Sequence, residues 1–169
     1  MILAAVALAS SIHLVDQSGR HFTLASLRGE PVVVTFVAAH CTDACPLIDA
    51  QVARASREAA RERLRIRFLT ITLDPEHDPP SVMRALAKTF DADEHHWLVA
   101  TGSVPAVHRI MRAFGVVAQR GRRGYADVHT TFVYLLDRDG AIRKILLASA
   151  GSGQYLMTEI RQDWSILQQ

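Results

Sequence analysis

The sequence predicts an α/β fold built on a mixed sheet. Apolar, β-branched runs alternate with segments of helical periodicity over residues 32–114. A turn sequence at Gln17–Arg20 and another at Asp137–Gly140 each separate two short apolar segments, as expected of β-hairpins. Strands that alternate with helices indicate βαβ units and a mostly parallel sheet, to which a hairpin adds antiparallel strands.

The expected order of elements is hairpin, β, α, β, α, short β, α, β-hairpin, α. The strands are expected at 12–16, 21–24, 32–37, 65–73, 97–100, 131–136 and 142–147. In the second helix Ser81 is the expected cap, and Val82, Leu86 and Phe90 are expected to face inward. The third helix is expected from Ser103 to Gly115, with one buried face formed by Val107, Ile110, Met111 and Phe114. Residues 116–128 are expected to form a loop.

Composition limits the class of function. The 169 residues suit one domain, expected over 12–169, and 49% of them are hydrophobic. The formal net charge is only +2 and the arginines are spread along the chain, so nucleic-acid binding is not expected. The apolar segment 1–11 lacks a basic flank and is too short to span a bilayer. It is compatible with a remnant of a signal or anchor, or with a segment packed on the domain.

The two cysteines of the chain, Cys41 and Cys45, follow the first buried strand directly. If the next helix begins near Thr42 or Asp43, their spacing of four places both sulfurs on one face of its first turn. The free N–H groups and the helix dipole there favour thiolate over thiol. A buried apolar pair or a structural disulfide is the simpler interpretation. The carboxyl end of a central strand is, however, the usual place for a functional site in an open α/β sheet.

A cysteine pair at this strand-to-helix turn indicates a thioredoxin-like fold, with a central mixed sheet flanked by helices and an N-terminal β-hairpin. Two thiolates on one turn can close a disulfide, or they can bind a soft metal such as copper(I) with a further ligand from elsewhere.

The chain has eight histidines, and His129 is the favoured third ligand. It precedes a strand whose beginning faces the cysteine turn in such a fold; without that fold, a hydrogen-bonded loop histidine is the simpler interpretation. His77 could approach the site from the side, whereas His40 and Cys41 are neighbours whose side chains should point apart. Five other histidines are expected at the surface: His13, His21, His95, His96 and His108.

Three segments, VTFVAAHCTDACPL, LTITLDPEHDPPSVMRALAKTF and YADVHTTFVYLLDRDGAI, resemble the Sco/SenC family. Members of that family are thioredoxin-fold proteins that bind copper and help assemble the copper centre of cytochrome c oxidase. The resemblance implies that Cys41, Cys45 and His129 bind a copper ion, as Cu(I) or Cu(II). It places Asp74 near that site without direct contact to the metal.

The same resemblance implies partners and a location. The expected partners are a cytochrome c oxidase subunit or another copper protein, together with a thiol reductant. The expected location is extracytoplasmic (periplasmic), with membrane attachment through an N-terminal anchor. The motifs depart from the usual family pattern at three places: Thr42 replaces a proline, Val128 separates Asp127 from His129, and Pro79 follows Asp78.

Three other functions remain open from the residues. In a thiol–disulfide oxidoreductase, Cys41 would attack and Cys45 would resolve the mixed disulfide. The spacing is one residue longer than Cys-x-x-Cys, no tryptophan precedes Cys41, and His129 stands where thioredoxins place a cis-proline. A thiol peroxidase would need an arginine near the turn, and the sequence places none there. The last alternative is an inactive thioredoxin-like domain that only binds partners.

Overall fold

A computed structural model describes residues 11–41, 45–121, 124–126, 128–129, 132–148 and 154–169, with the side chains of residues 128, 129 and 154 outside that description. Residues 1–10 of the expected apolar segment 1–11 lie outside the described part of the chain. The strands are β1 (His13–Val15), β2 (His21–Thr23), β3 (Val32–Val37), β4 (Arg67–Thr72), β5 (Trp97–Ala100), β6 (Ala118–Gln119), β7 (Val128–His129), β8 (Phe132–Leu136) and β9 (Ile142–Leu147). The helices are α1 (Cys45–Arg61), α2 (Pro80–Thr89), α3 (Val104–Phe114), α4 (Gln154–Gln162) and α5 (Trp164–Leu167).

The main sheet has five strands in the order β5-β4-β3-β8-β9. Strands β3, β4 and β5 are parallel, and β8 and β9 are antiparallel to their neighbours. All six residues of β3 are buried, as expected of a central strand covered on both faces. The parallel strands end together, so the loops that follow β3 and β4 meet at one edge of the sheet.

The N-terminal hairpin β1–β2 covers the outer edge of β5. Val15 and Thr101 form an antiparallel bridge beyond the end of the strand. The side-chain amide of Gln17 donates to the carbonyl of Trp97 at 2.9 Å and accepts from the N–H of Val99 at 2.8 Å. This buried amide therefore satisfies backbone groups that an uncovered edge strand would leave unpaired.

The third helix follows the prediction closely. The Ser103 hydroxyl accepts from the N–H of Ala106 at 3.3 Å and caps the first turn. Gly115 ends the helix with φ of +70°, the left-handed conformation that glycine adopts readily. The four residues predicted to face inward are all buried: Val107, Ile110, Met111 and Phe114.

The second helix differs from the prediction. It begins at Pro80, and Ser81 is inside it, so the predicted cap is wrong. Proline is tolerated at the first helical position because its missing N–H would have had no helical partner there. Its fully buried residues are Met83 and Ala87, whereas two of the predicted inward residues, Leu86 and Phe90, are partly buried and pack against the core.

The segment predicted as a loop contains a two-stranded ribbon. Ala118 pairs with His129 and Gln119 with Val128, in antiparallel register. Several predicted strands also extend by a residue or two beyond the observed ones, as expected for element ends. None of the described helices is both long and apolar enough to cross a bilayer.

Thr70 is the centre of a buried hydrogen-bond chain across β3, β4 and β5. Its hydroxyl accepts from the indole N–H of Trp97 at 2.9 Å and lies 2.9 Å from the hydroxyl of Thr35. We expect Thr70→Val to lower the free energy of unfolding by about 1–3 kcal/mol, because it leaves the buried indole N–H without an acceptor. Urea unfolding measures this change. Thr35→Val is the comparison that keeps the bond between Trp97 and Thr70, and unchanged stability of Thr70→Val would contradict the assignment.

Candidate metal centre

The two cysteines lie at the edge of the sheet where β3 and β4 end. Cys41 follows a turn in which its N–H donates to the carbonyl of Ala38 at 3.0 Å. Cys45 is the first described residue of α1; the predicted helix start at 42 or 43 lies outside the described residues. Neither cysteine is in a disulfide, and both are buried, with 5% of Cys41 and 2% of Cys45 exposed.

The Cys45 thiol is held in its protonated form. Burial raises its pKa above the usual range, and a hydrogen bond with Cys41 acts in the same direction. A hydrogen bond from the Ala38 backbone opposes both without overcoming them. The prediction that the helix amino end favours a thiolate is therefore wrong for Cys45, because loss of hydration outweighs the helix dipole. The hydrogen bond also shows that the two sulfur-bearing groups are neighbours.

Asp78 ties the cysteine segment to the end of β4. Its Oδ2 accepts from the hydroxyl of Thr72 at 2.6 Å and from the N–H of Ala39 at 3.1 Å. Ala39 is two residues before Cys41, so this carboxyl group holds the backbone that leads to the thiol. Asp78 is fully buried, and burial is the main cause that raises its pKa.

Asp74 connects the β6–β7 ribbon to the loop that follows β4. Its Oδ2 accepts from the N–H of Ala126 at 3.1 Å and lies 2.9 Å from Nδ1 of His77. Arg120 extends the connection, because its guanidinium donates to Glu76 and, at 2.6 Å, to the carbonyl of Gly124. Asp74 thus supports the ribbon that carries His129; its predicted place near a bound metal stays a prediction.

The backbone of His129 lies in β7, and its side chain is outside the described part of the chain. Among the described side chains, no three from His, Cys, Asp and Glu are grouped closely enough to hold a metal ion. The convergence of Cys41, Cys45 and His129 therefore stays a prediction.

Asp49 is a buried carboxyl that the sequence reasoning missed. It lies one helical turn after Cys45 and is 1% exposed, and its Oδ1 has no hydrogen-bond partner. Burial raises its pKa to about 7, and its charge contributes to the raised pKa of Cys45. The signal in the sequence was its spacing of four from Cys45 between the buried residues Ile48 and Val52.

The remaining histidines divide into two groups. His40 is exposed and His77 half-buried, and both rings contact Tyr125 from the loop between β6 and β7. The others are exposed or half-buried, away from the cysteines in the chain: His13, His21, His95, His96 and His108.

A family model described as SCO1/SenC matches residues 3–164. The chain belongs to the SCO1/SenC family. Its similarity to the SCO1 protein homolog of Bacillus subtilis is 24% identity over 131 residues, which is 76% of this chain and 68% of that protein. Mitochondrial SCO2 of Saccharomyces cerevisiae is 29% identical over 142 residues, which is 80% of this chain and 46% of that protein. The chain thus spans about half of one relative and two thirds of the other.

Solved structures of Sco proteins share this fold. The copper-bound ScoI of Bradyrhizobium japonicum matches with a TM-score of 0.73 and 27% identity, over 89% of this chain and 96% of that one. A SCO1/SenC lipoprotein of Bacillus anthracis matches with a TM-score of 0.78 and 24% identity, over 89% of this chain and 90% of that one. BsSco matches with a TM-score of 0.75 and 20% identity, over 88% of each chain. It is described as a member of the Sco family of cytochrome c oxidase assembly proteins. The predicted thioredoxin-like fold is confirmed.

We expect Asp49→Asn to flatten the pH dependence of stability. Folding raises the pKa of Asp49. Its contribution to the free energy of unfolding is therefore fully present below about pH 4 and is lost as the pH rises to about 7. The loss is at most roughly 4 kcal/mol. Urea unfolding across this pH range should show the variant gaining stability relative to the parent as the pH increases. Parallel stability curves for the two proteins would contradict the assignment.

Proposed function

We propose that this SCO1/SenC protein is a copper metallochaperone, with Cys41, Cys45 and His129 as the ligands. The observation that carries the proposal is the pair of buried thiols, not in a disulfide and joined by a hydrogen bond, at the edge of the sheet where β3 and β4 end. The copper-bound Sco structure of Bradyrhizobium japonicum supports the choice of metal.

The donor set suits copper. Thiolates select copper(I), and imidazole is a good copper ligand in either oxidation state. A structural zinc site needs four protein ligands, which this set does not supply. Three ligands leave the copper accessible, so that a thiolate or imidazole of a recipient protein can replace them one at a time.

Protonation of the thiols fits a carrier. Burial keeps Cys45 as a neutral thiol in the metal-free protein, since a charged group in that position has no hydration. Copper binding must displace the proton of Cys45, and the cation then compensates the thiolate charge. A protein that alternates between empty and loaded forms requires a group of this kind, neutral without the metal and compensated by it.

The proposed recipient is the copper centre of cytochrome c oxidase or another copper protein. Support comes from BsSco, described as belonging to a family of cytochrome c oxidase assembly proteins. The proposed location is extracytoplasmic (periplasmic) and membrane-associated, and the Bacillus anthracis relative, described as a lipoprotein, supports it. Delivery of copper and reduction of the recipient's cysteines are both compatible with this role.

We expect Cys41→Ser and Cys45→Ser to weaken the binding of copper(I) and copper(II), and His129→Ala to weaken the binding of copper(II), each by more than the roughly 10- to 100-fold that loss of a supporting residue costs. The physical reason is that each change removes one of only three donors. Competition titration of the reduced protein with copper(I) and copper(II) measures the affinity, and thiolate-to-copper(II) charge-transfer absorption reports the sulfur ligands.

His108→Ala is the matched control, because His108 is exposed on α3 and belongs to a surface histidine group. It should bind copper with the affinity of the parent protein. Unchanged copper binding in Cys45→Ser, or unchanged copper(II) binding in His129→Ala, would disprove the proposed ligand set.

A second candidate function is thiol–disulfide exchange, which the hydrogen bond between the two thiols favours. The Cys41 thiolate would attack a partner disulfide, and Cys45 would then attack the mixed bond. The partner gains two electrons and two protons, and this chain gains a Cys41–Cys45 disulfide. A partner dithiol would reverse the reaction. Absence of exchange with dithiol and disulfide substrates, together with a measurable reduction potential of the pair, would leave copper transfer as the function.

A further inference from the structure

Tyr125 lies where three segments of the chain meet. Its ring is stacked on that of His40, with centroids 4.4 Å apart and planes inclined by 22°. The ring of His77 contacts it edge-on at 4.9 Å and 73°. His40 directly precedes Cys41, His77 belongs to the loop after β4, and Tyr125 lies between β6 and β7. The aromatic contacts therefore join the ribbon that carries His129 to the residue before the first cysteine.

The ribbon needs such contacts to keep a fixed position. Each of its strands is two residues long, and Ala118 pairs with His129 at one end. A two-stranded ribbon is marginally stable by itself in water. Asp74 and Arg120 fasten the loop of this ribbon to the segment after β4. The stack of Tyr125 on His40 adds a direct connection to the cysteine segment.

We infer that Tyr125 is a positioning residue for the copper site. Its ring holds the β6–β7 ribbon against the segment that carries Cys41, and so keeps His129 in reach of the two thiols. The inference rests on the proposed copper function, because it assigns Tyr125 a role through His129. Stacked rings of this kind contribute a modest attraction, which suffices to bias the position of a short ribbon.

Binding of copper(I) and binding of copper(II) should respond differently to displacement of His129. Copper(I) is satisfied by two thiolates, whereas copper(II) prefers four-coordinate sites rich in nitrogen and oxygen donors. Displacement of His129 should therefore weaken copper(II) binding strongly and copper(I) binding little. This contrast separates a positioning role from a general loss of structure, which would weaken both.

The first test compares Tyr125→Ala with Tyr125→Phe in competition titrations. Tyr125→Ala should weaken copper(II) binding at least roughly tenfold and alter the thiolate-to-copper(II) absorption, with copper(I) affinity within about threefold of the parent. Tyr125→Phe keeps the ring and should restore the parent behaviour. Tyr155→Ala, which removes an exposed tyrosine from α4, is the control and should change neither affinity. Parent-like copper(II) binding by Tyr125→Ala overturns the inference.

A second pair of variants tests the stack from the side of His40, whose exposed side chain can be changed without disturbing the core. His40→Phe keeps an aromatic ring and removes the imidazole nitrogens, whereas His40→Ala removes the ring. We expect His40→Phe to bind copper(II) like the parent and His40→Ala to bind it as weakly as Tyr125→Ala. Equal losses in both His40 variants would show that the nitrogens matter, and would overturn the stacking argument.

Hydrogen exchange in the metal-free protein separates this inference from the proposed function. In Tyr125→Ala the backbone amides of the ribbon should exchange faster than in the parent, with the central strands β3 and β4 unchanged. Faster exchange supports the positioning role even if the parent binds no copper, a result that would disprove the proposed function alone. Unchanged exchange in the ribbon overturns the inference while the copper function stands.

Discussion

The buried carboxylate of Asp78 is the constraint on which the site depends. Parallel strands β3 and β4 end at one edge of the sheet, and the segments that follow them must satisfy their backbone groups there. Asp78 accepts hydrogen bonds from the N–H of Ala39 and from the hydroxyl of Thr72, one from each segment. Its loop, the cysteine segment and the end of β4 therefore form one unit, and the place of Cys41 follows from it.

Burial, more than local helix geometry, sets the chemistry of this edge. It is the main cause of the raised pKa values of Cys45, Asp49 and Asp78. Asp49 and Asp78 each also have an Oδ1 without a hydrogen-bond partner. Loss of hydration thus disfavours the charged forms of these three groups. A cation that replaces thiol protons removes the cost of the buried negative charge, which accounts for a pair of thiols in an apolar setting.

The sequence was sufficient for elements whose signals are local. Strand β3 was evident from its uninterrupted apolar run, and α3 from its serine cap, its apolar face and its terminal glycine. The ribbon β6–β7 escaped notice because strands of two residues have no periodicity to detect. The helix α2 begins one residue before the predicted cap Ser81, because proline suits the first helical position that Pro80 occupies.

The site itself was predicted only in part, for the same physical reason. The cysteine pair and its place after the central strand follow from adjacent residues, and family resemblance supplied His129 and Asp74. The contacts of Asp78 with Ala39 and of Tyr125 with His40 join segments that are distant in the chain. Only folding reveals such pairs. The state of the Cys45 thiol was mispredicted because the helix dipole is a local property, whereas burial depends on the whole fold.

The central claim is that two sulfurs and one imidazole bind the same copper ion. X-ray absorption spectroscopy of the copper(II)-loaded protein tests it most directly, because extended fine structure counts the sulfur neighbours of the metal and recognises the outer-shell scattering of an imidazole ring. The account predicts two sulfur neighbours and one imidazole, with the imidazole signal absent in His129→Ala. A copper ion bound by sulfur alone, or by fewer than two sulfurs, would contradict it.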